Sequence, residues 1–124
     1  DELAVAVKLP ALAPSTKTAF ARMTRTTLDL SKVNASARLD MAGKVCKQAR
    51  LAIGAVAPVT LRLKKCETLL KGEQITDDLL ELIQEKVPVE ISPISDVRST
   101  AEYRRDVSGV LVKRVILEAL NGGK

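Results

Sequence analysis

Apolar and polar residues alternate along much of the first half of the chain, which is the period of a β-strand. The segments predicted to form strands are residues 2–9, 18–27, 33–41 and 45–53. The apolar side of the first segment consists of Leu3, Val5, Val7 and Leu9. Pro10 follows directly and is expected to end this strand, because proline cannot donate a backbone hydrogen bond to a neighbouring strand.

The third and fourth segments are predicted to pair as a β-hairpin. Ala42 and Gly43 lie between them and allow a tight reversal of the chain. Ala49, Leu51 and Ile53 form the apolar side of the returning strand. The pattern therefore indicates a sheet with one face against the core.

The second segment has a less regular pattern. Phe20 is expected in the core, yet Arg22 has the same parity and would lie on the same face. Two interpretations remain open. Either the strand leaves the core at Arg22, so that the guanidinium reaches solvent, or this face borders a polar cleft.

From residue 60 onward the apolar period is that of an α-helix, and three helices are predicted. The first ends at Gly72, and its apolar side consists of Leu63, Cys66, Leu69 and Leu70. The second is capped by Thr76 and is expected to end at Pro88. Its buried side is predicted to comprise Leu79, Leu80, Leu82 and Ile83.

The third helix is predicted to be the longest. Ser99 is its expected N-cap, and Glu102 completes a Ser-x-x-Glu capping box. Arg104 and Arg105 are assigned to its polar face. Its apolar face is expected to comprise Tyr103, Val107, Val110, Leu111 and Leu117.

Strands followed by helices are typical of an α+β fold. We expect an antiparallel sheet of three to four strands, with three helices packed on one of its faces. Residues 1–120 are expected to form a single domain, and residues 121–124 a frayed tail. The chain begins with Asp1 rather than Met and enters a strand pattern at once, so we expect a piece of a longer protein.

Composition argues against several classes of function. The net charge is +5, but the basic residues lie near acidic ones, which argues against a nucleic-acid-binding stripe. Phe20 and Tyr103 are the only aromatic residues, so there are few platforms for base stacking. We expect neither a membrane span nor a signal peptide. The six glycines form no phosphate-cradling loop, so no dedicated pyrophosphate site is predicted.

Candidate catalytic and metal-binding groups are few. The chain has no histidine, which removes the commonest general base and metal ligand. Cys46 and Cys66 have no second ligand at metal-binding spacing. We predict reduced thiols in a cytoplasmic protein, with a disulfide between them as the alternative. The sequence predicts no catalytic residue and no metal site.

The most specific local pattern is a polar turn followed directly by the third helix. Asp96 can accept backbone N–H groups in the turn, and Arg98 can donate a forked pair of hydrogen bonds to a carboxylate or to carbonyls. Taken alone, these residues favour the start of a helix with no further role.

The same stretch resembles the C-terminal domain of the FAD-binding, or medium, subunit of molybdenum hydroxylases, which include the xanthine and carbon monoxide dehydrogenases. Its strongest motif is Asp96-x-Arg98-x-x-Ala101-x-Tyr103-Arg104, with Ser99 inside it. The run Ala52-Ile53-Gly54-Ala55-Val56-Ala57-Pro58 is similar to the family's connection from sheet to helices. The resemblance extends from Leu3 to about Glu118.

The resemblance implies an α+β sandwich of the CO dehydrogenase flavoprotein C-terminal type, with the second strand beside the flavin. The family's pattern of Phe, Lys, Arg and Asp corresponds here to Phe20, Arg22, Arg25 and Asp29, and its Lys is missing. Arg22 and Arg25 are thereby implied as flavin-side residues. The residues implied as a structural motif are Asp96, Arg98, Ser99, Tyr103 and Arg104.

Cofactor and partners follow from the same resemblance. FAD would be bound by an upstream domain of the full-length subunit, and none is expected on this domain alone. Electrons would pass from a molybdopterin subunit through an iron–sulfur subunit to the flavin and then to an acceptor. The domain would close one side of the flavin site and mediate contacts between domains or subunits. The alternative is a stand-alone interaction or scaffold module without a redox role.

Overall fold

The computed structural model describes residues 2–122 and confirms the predicted order of strands before helices. The strands are β1 Thr16–Met23, β2 Val33–Ala42, β3 Val45–Gly54 and β4 Leu61–Arg62. They form one antiparallel sheet in sequential order. The helices are α1 Lys64–Leu70, α2 Asp77–Glu90 and α3 Ala101–Leu120.

The helices cover one face of the sheet. α3 lies across β1 and β2, and α1 lies against β3. Within residues 2–122, α2 packs on α1 and α3 and does not reach the sheet. Burial alternates strictly along β2, where every second residue from Val33 to Met41 is buried. No helix of residues 2–122 covers the opposite face of the sheet, which we call the open face. It carries Thr18, Phe20, Ser36, Arg38, Arg50 and Ala52.

The predicted β2–β3 hairpin is confirmed, with its reversal one residue later than expected. Gly43 and Lys44 form the turn, and Gly43 has a φ of +59°, which favours glycine over residues that carry a Cβ. A register shift between Asp40 and Met41 marks an irregularity near the turn.

The strand predicted at residues 2–9 is wrong. Residues 2–12 belong to no strand, and Leu3, Val5 and Val7 are each more than four-fifths exposed. An alternating pattern forms a strand only where a neighbouring strand supplies hydrogen bonds, and this segment does not pair with the edge of β1. The sheet still has four strands because the two-residue strand β4, which was not predicted, completes it.

The placement of Phe20 in the core is also wrong, since its side chain is 62% exposed. Ala19 and Ala21 lie opposite the buried residues Ala37 and Ala35 of β2, so they share the face that α3 covers. Phe20 lies opposite Ser36 and therefore points to the open face. The small alanines bring β1 close to α3, and the large side chain is left outside.

α2 follows the prediction at its start but not at its end. The Thr76 side chain caps it by accepting a hydrogen bond from the Leu79 backbone N–H at 3.3 Å. The helix continues two residues beyond Pro88. Proline removes only one intrahelical bond, to the carbonyl four residues earlier, which is that of Gln84. Leu82, which was predicted to be buried, is 37% exposed.

The start of α3 differs from the prediction by one residue. Its N-cap is Thr100, whose Oγ1 accepts a hydrogen bond from the Tyr103 N–H at 3.2 Å. Ser99 cannot cap the helix because its backbone pairs with Asp96 in the preceding turn. Glu102 is therefore too near the cap to complete the expected capping box.

The buried side of α3 is rotated from the predicted one. Tyr103, Val110 and Leu117 are 40%, 44% and 36% exposed, whereas Leu111 is buried as expected. The buried residues are Arg104, Ser108, Gly109, Leu111, Val112, Val115, Ile116 and Ala119. Ser108 and Gly109 are small, which lets the backbone of α3 approach its neighbours closely.

No helix within residues 2–122 is both long enough and apolar enough to cross a bilayer. The tail predicted at 121–124 lies partly outside the described residues, and Asn121 and Gly122 form a turn after α3.

Candidate functional site

A tight turn immediately before α3 forms the centre of the candidate site. The backbone of Asp96 pairs with that of Ser99 in both directions, with N···O distances of 3.0 and 3.3 Å. Val97 and Arg98 therefore lie at the tip, and Val97 is fully exposed. The predicted polar turn is confirmed, and it is closed by its own backbone.

The Asp96 carboxylate organises this turn. Its Oδ1 accepts hydrogen bonds from the backbone N–H groups of Arg98 at 2.9 Å and Ser99 at 3.2 Å. Its Oδ2 accepts from the Arg98 guanidinium, at 2.9 Å from Nη2 and 3.3 Å from Nε. Of the two kinds of partner expected for the Arg98 guanidinium, a carboxylate or carbonyls, the structure shows the carboxylate of Asp96.

Arg104 is the third partner of Asp96, and its burial was not predicted. Its Nη2 donates to Asp96 Oδ1 at 2.7 Å, and its Nη1 donates to the Ile94 carbonyl at 3.3 Å. The Arg104 side chain is only 4% exposed, and its Nε has no hydrogen-bond partner within residues 2–122. Arg104 therefore ties the first turn of α3 to the segment before it.

Hydrogen bonds to the carboxylate change the acidity of Asp96. The Arg104 side chain and, after it, the Arg98 backbone N–H hold the pKa of Asp96 well below its usual range. The carboxylate thus stays ionised and cannot act as a general acid near neutral pH. The arrangement fits a structural lock better than a catalytic group.

The loop from β1 to β2 lies on the other side of Arg98. Arg25 Nε pairs with Asp29 Oδ2 at 3.3 Å, and Arg22 Nη2 donates to the Thr27 carbonyl at 2.6 Å. Lys32 Nζ lies 5.3 Å from the centre of the Tyr103 ring, which is within range of a cation–π contact. The first two contacts stabilise the conformation of the loop, and the third joins the end of the loop to α3.

Two cavities flank Arg98. One of about 330 Å³ is lined by Arg25, Asp29, Leu30, Lys32, Val97 and Arg98. The other, of about 290 Å³, lies between the segment after β3 and the segment before α3. Ala55 lines this second cavity and has a φ of +64°, which is unusual for a residue with a Cβ. The first cavity carries three cationic side chains and one carboxylate, so it suits an anionic group.

The structure thus brings together some of the predicted site residues. Asp96, Arg98, Ser99 and Arg104 form one hydrogen-bonded cluster, and Tyr103 contacts the neighbouring loop. Of the two residues implied to face a flavin, Arg25 lines the cavity beside Arg98, whereas Arg22 lines neither cavity at Arg98.

Sequence reasoning missed Lys32, which lines the first cavity and contacts Tyr103. Nothing in the local pattern distinguished Lys32 from the other lysines of the chain. Within residues 2–122, no group of three or more potential ligands is placed to hold a metal ion.

Both cysteines are buried and free, so the alternative of a disulfide between them is not observed. Burial and, after it, a hydrogen bond with Glu90 raise the pKa of the Cys66 thiol to about 12. Burial also raises the pKa of Cys46. Neither thiol is activated as a nucleophile.

Comparison with known proteins shows a match over most of the chain. Residues 18–119 match the family described as CO dehydrogenase flavoprotein C-terminal domain. The carbon monoxide dehydrogenase medium chain of Hydrogenophaga pseudoflava is 26% identical over 116 residues, covering 94% of this chain and 40% of the relative. The glyceraldehyde dehydrogenase medium chain of Sulfolobus acidocaldarius is 29% identical, covering 94% and 41%.

Solved structures show the same fold. Carbon monoxide dehydrogenase from Hydrogenophaga pseudoflava, in a form lacking the Mo-pyranopterin moiety, superposes with a TM-score of 0.87 at 26% identity, over 91% of this chain and 39% of the other. Quinoline 2-oxidoreductase from Pseudomonas putida 86 gives a TM-score of 0.81 at 28% identity, over 88% and 38%. The chain spans about two fifths of the length of the curated relatives it matches.

Proposed function

Because the chain belongs to the CO dehydrogenase flavoprotein C-terminal domain family, we propose that it is the C-terminal domain of the FAD-binding medium subunit of a molybdenum-containing hydroxylase or dehydrogenase. The observation that carries the proposal is the extent of the match, which runs from β1 into the last turn of α3. The whole fold is shared, and not only the motif around Asp96.

In this proposal the domain closes one side of a flavin site. Arg25 and Lys32 line the cationic cavity beside Arg98 and would face the flavin. The cavity, at about 330 Å³, is near the lower limit of small-molecule sites, which span roughly 300–1,000 Å³. It fits one edge of a flavin and not a whole dinucleotide, so the rest of FAD would be held by another domain.

The Asp96 cluster has a positioning role in this proposal. Asp96 fixes the Arg98 side chain at the wall between the two cavities, and Arg104 anchors Asp96 to α3. FAD would supply electron transfer between iron–sulfur clusters and an acceptor. Cationic side chains at its edge stabilise the negative charge that a flavin gains on reduction. Arg22 holds the loop that carries Arg25 by donating to Thr27.

The remaining parts of the proposal concern partners and compartment. The upstream FAD-binding domain, an iron–sulfur subunit and a molybdopterin subunit would contact this domain in the assembled complex. A cytoplasmic location agrees with two buried cysteines that remain free.

The proposal is tested on the full-length polypeptide that contains this chain. We expect it to purify with a bound flavin that is identified as FAD after denaturation. In that polypeptide, Arg25→Gln should lower the two-electron flavin reduction potential by about 10–20 mV, because an exposed charge contributes roughly 0.5–1 kcal/mol. Arg105→Gln removes an equal charge from an exposed position on α3 and should leave the potential unchanged.

The chain alone should not bind FAD tightly, since it lacks a glycine-rich phosphate loop. Titration of FAD with the purified chain, followed by flavin fluorescence, measures this directly. Saturable quenching at micromolar concentration would show a complete site here. A full-length polypeptide that carries neither flavin nor iron–sulfur partners would instead favour a scaffold module.

A further inference from the structure

The open face of the sheet carries an unusual row of arginines. Arg38 on β2 lies directly opposite Arg50 on β3, and Arg62 on β4 lies opposite Ala52, two residues further along β3. Since neighbouring strands are about 4.8 Å apart, the three side chains leave the sheet close together. Like charges directly opposite each other on one face disfavour the sheet unless an anion lies near them.

The chain neutralises this row only in part. Arg62 forms two 2.6 Å hydrogen bonds with Glu67 at the edge of the sheet. Arg38 contacts Asp40 at the longer distance of 3.3 Å, and Asp40 also accepts a bond from Thr16. Arg50 is exposed and makes no side-chain hydrogen bond or ion pair within residues 2–122. One guanidinium in the centre of the row is therefore available to a partner.

An apolar patch adjoins the arginines. A shallow cavity of about 360 Å³ on the open face is lined by the row together with Phe20, Ser36 and Ala52. Phe20 is 62% exposed, which is unusual for a phenylalanine in the middle of a strand. A cationic row beside an exposed aromatic ring is typical of the surfaces where proteins bind each other, because arginine and aromatic residues are enriched there.

We propose that the open face binds an acidic segment of another polypeptide, whose carboxylates pair with Arg50 and Arg38 while an apolar side chain covers Phe20. Arginine suits this role because its planar guanidinium binds a carboxylate through two parallel hydrogen bonds.

A nucleic acid fits the same surface less well. Phe20 is the only aromatic residue of the open face, so successive bases would find no second stacking platform. Asp40 lies on the same sheet face as Arg38, with which it pairs, and would repel a continuous phosphate backbone. The carboxylates of a protein segment are separate groups, so they can contact the arginines without lying next to Asp40. The proposal does not use Arg25 or Lys32, so it stands or falls separately from the proposed flavin site.

Titration of the isotope-labelled chain with short poly-L-glutamate, followed by amide chemical shifts at low salt, tests the proposal. We expect the largest shift changes in β2, β3 and β4, and weaker binding as salt is added. Arg50→Glu should weaken binding by about tenfold or more, because it places a carboxylate opposite the incoming ones. Arg105→Glu makes the same change in net charge on the exposed side of α3 and should weaken binding by less than about threefold.

The comparison of these two variants decides the result. Equal weakening by both would mean that only net charge matters and would overturn the proposal, as would shift changes confined to α3 or to the loops. A single-stranded oligothymidine that binds the open face more tightly than poly-L-glutamate would also overturn it, in favour of nucleic acid. A dispersed spectrum of each variant confirms that it remains folded.

Discussion

Gly109 marks the closest approach of two helices, and its replacement by alanine tests how α2 and α3 pack. A Cβ built on Gly109 would lie 2.3 Å from the backbone oxygen of Gln84 in α2. Pro88 has no N–H, so this oxygen lacks its usual donor four residues later. A hydrogen on the Gly109 Cα points at the oxygen along the direction that a Cβ would take. Gly109 and Pro88 therefore act as a pair.

The expected loss of stability follows from the overlap between the added methyl group and the Gln84 oxygen. Carbon–oxygen contacts of this kind are normally about 3.3–3.6 Å, so a methyl group at 2.3 Å requires a separation of the order of 1 Å. Overpacking of this kind typically costs about 1–3 kcal/mol. Replacing glycine by alanine in a helix gains about 0.8–1.0 kcal/mol. The contact is with backbone and cannot be relieved by turning a side chain, so we expect a net loss of about 1–2 kcal/mol.

Urea unfolding of the chain, followed by circular dichroism, measures the loss. With a slope of roughly 2 kcal/mol per molar urea, the middle of the usual range, Gly109→Ala should lower the midpoint by about 0.5–1 M. Asp106→Ala is the matched control, since it adds an alanine at an exposed position of the same helix. Its midpoint should stay the same or rise. A midpoint for Gly109→Ala that rises with the control would refute the close contact and its energetic consequence.

Three further outcomes are expected. Arg104→Ala should lower the urea midpoint clearly, because it removes a buried guanidinium. Arg105 is exposed, so Arg105→Ala should change stability by less than about 0.5 kcal/mol. Equal midpoints for the two variants would contradict the structural lock between Arg104 and Asp96. The pKa of Asp96 is lower in the folded state than in the unfolded state, so its ionised form contributes stability that is lost as pH falls below about 4. In Asp96→Asn, the free energy of unfolding should therefore fall less steeply with decreasing pH, as measured by unfolding at several pH values. Cys46 and Cys66 should resist a thiol reagent in the native protein at about pH 8 and both react in denaturant without reductant, whereas no reaction in denaturant would show a disulfide.

The hairpin could be predicted from sequence because its signal is local and strong. Val33, Ala35, Ala37 and Leu39 alternate without interruption, and Gly43 allows the turn between the strands. Residues 2–9 alternate as regularly, yet they form no strand within the described chain. The difference lies in the pairing partner, which an alternating pattern cannot identify.

The rotation of α3 could not be predicted from hydrophobicity because Arg104 is buried. A charged residue is assigned to the polar face by default, and only its contact with Asp96, eight residues earlier, makes burial favourable. The small residues Ser108 and Gly109 were the available signal. Had they been interpreted as a close-packing stripe, the buried side would have been placed correctly.

The candidate site was partly predictable for the same reason. Asp96 and Arg98 are two residues apart, so their contact follows from the turn that contains them. Arg25 and Lys32 meet Arg98 only because the β1–β2 loop and the segment before α3 lie side by side in the fold. Contacts between distant segments depend on the packing of the whole domain, and no local pattern encodes them.

The unpaired segment at residues 2–9 has a consequence for colloidal behaviour. Residues 3–7 form a short, apolar, uncharged stretch that contains no glycine or proline. The side chains of Leu3, Val5 and Val7 are exposed to solvent. Such stretches associate with copies of themselves through intermolecular cross-β pairing when no other strand forms hydrogen bonds with their backbone. Concentrated solutions of the chain should therefore develop fibrils that bind thioflavin T, and Val5→Lys should delay their appearance by placing like charges next to each other along the fibril.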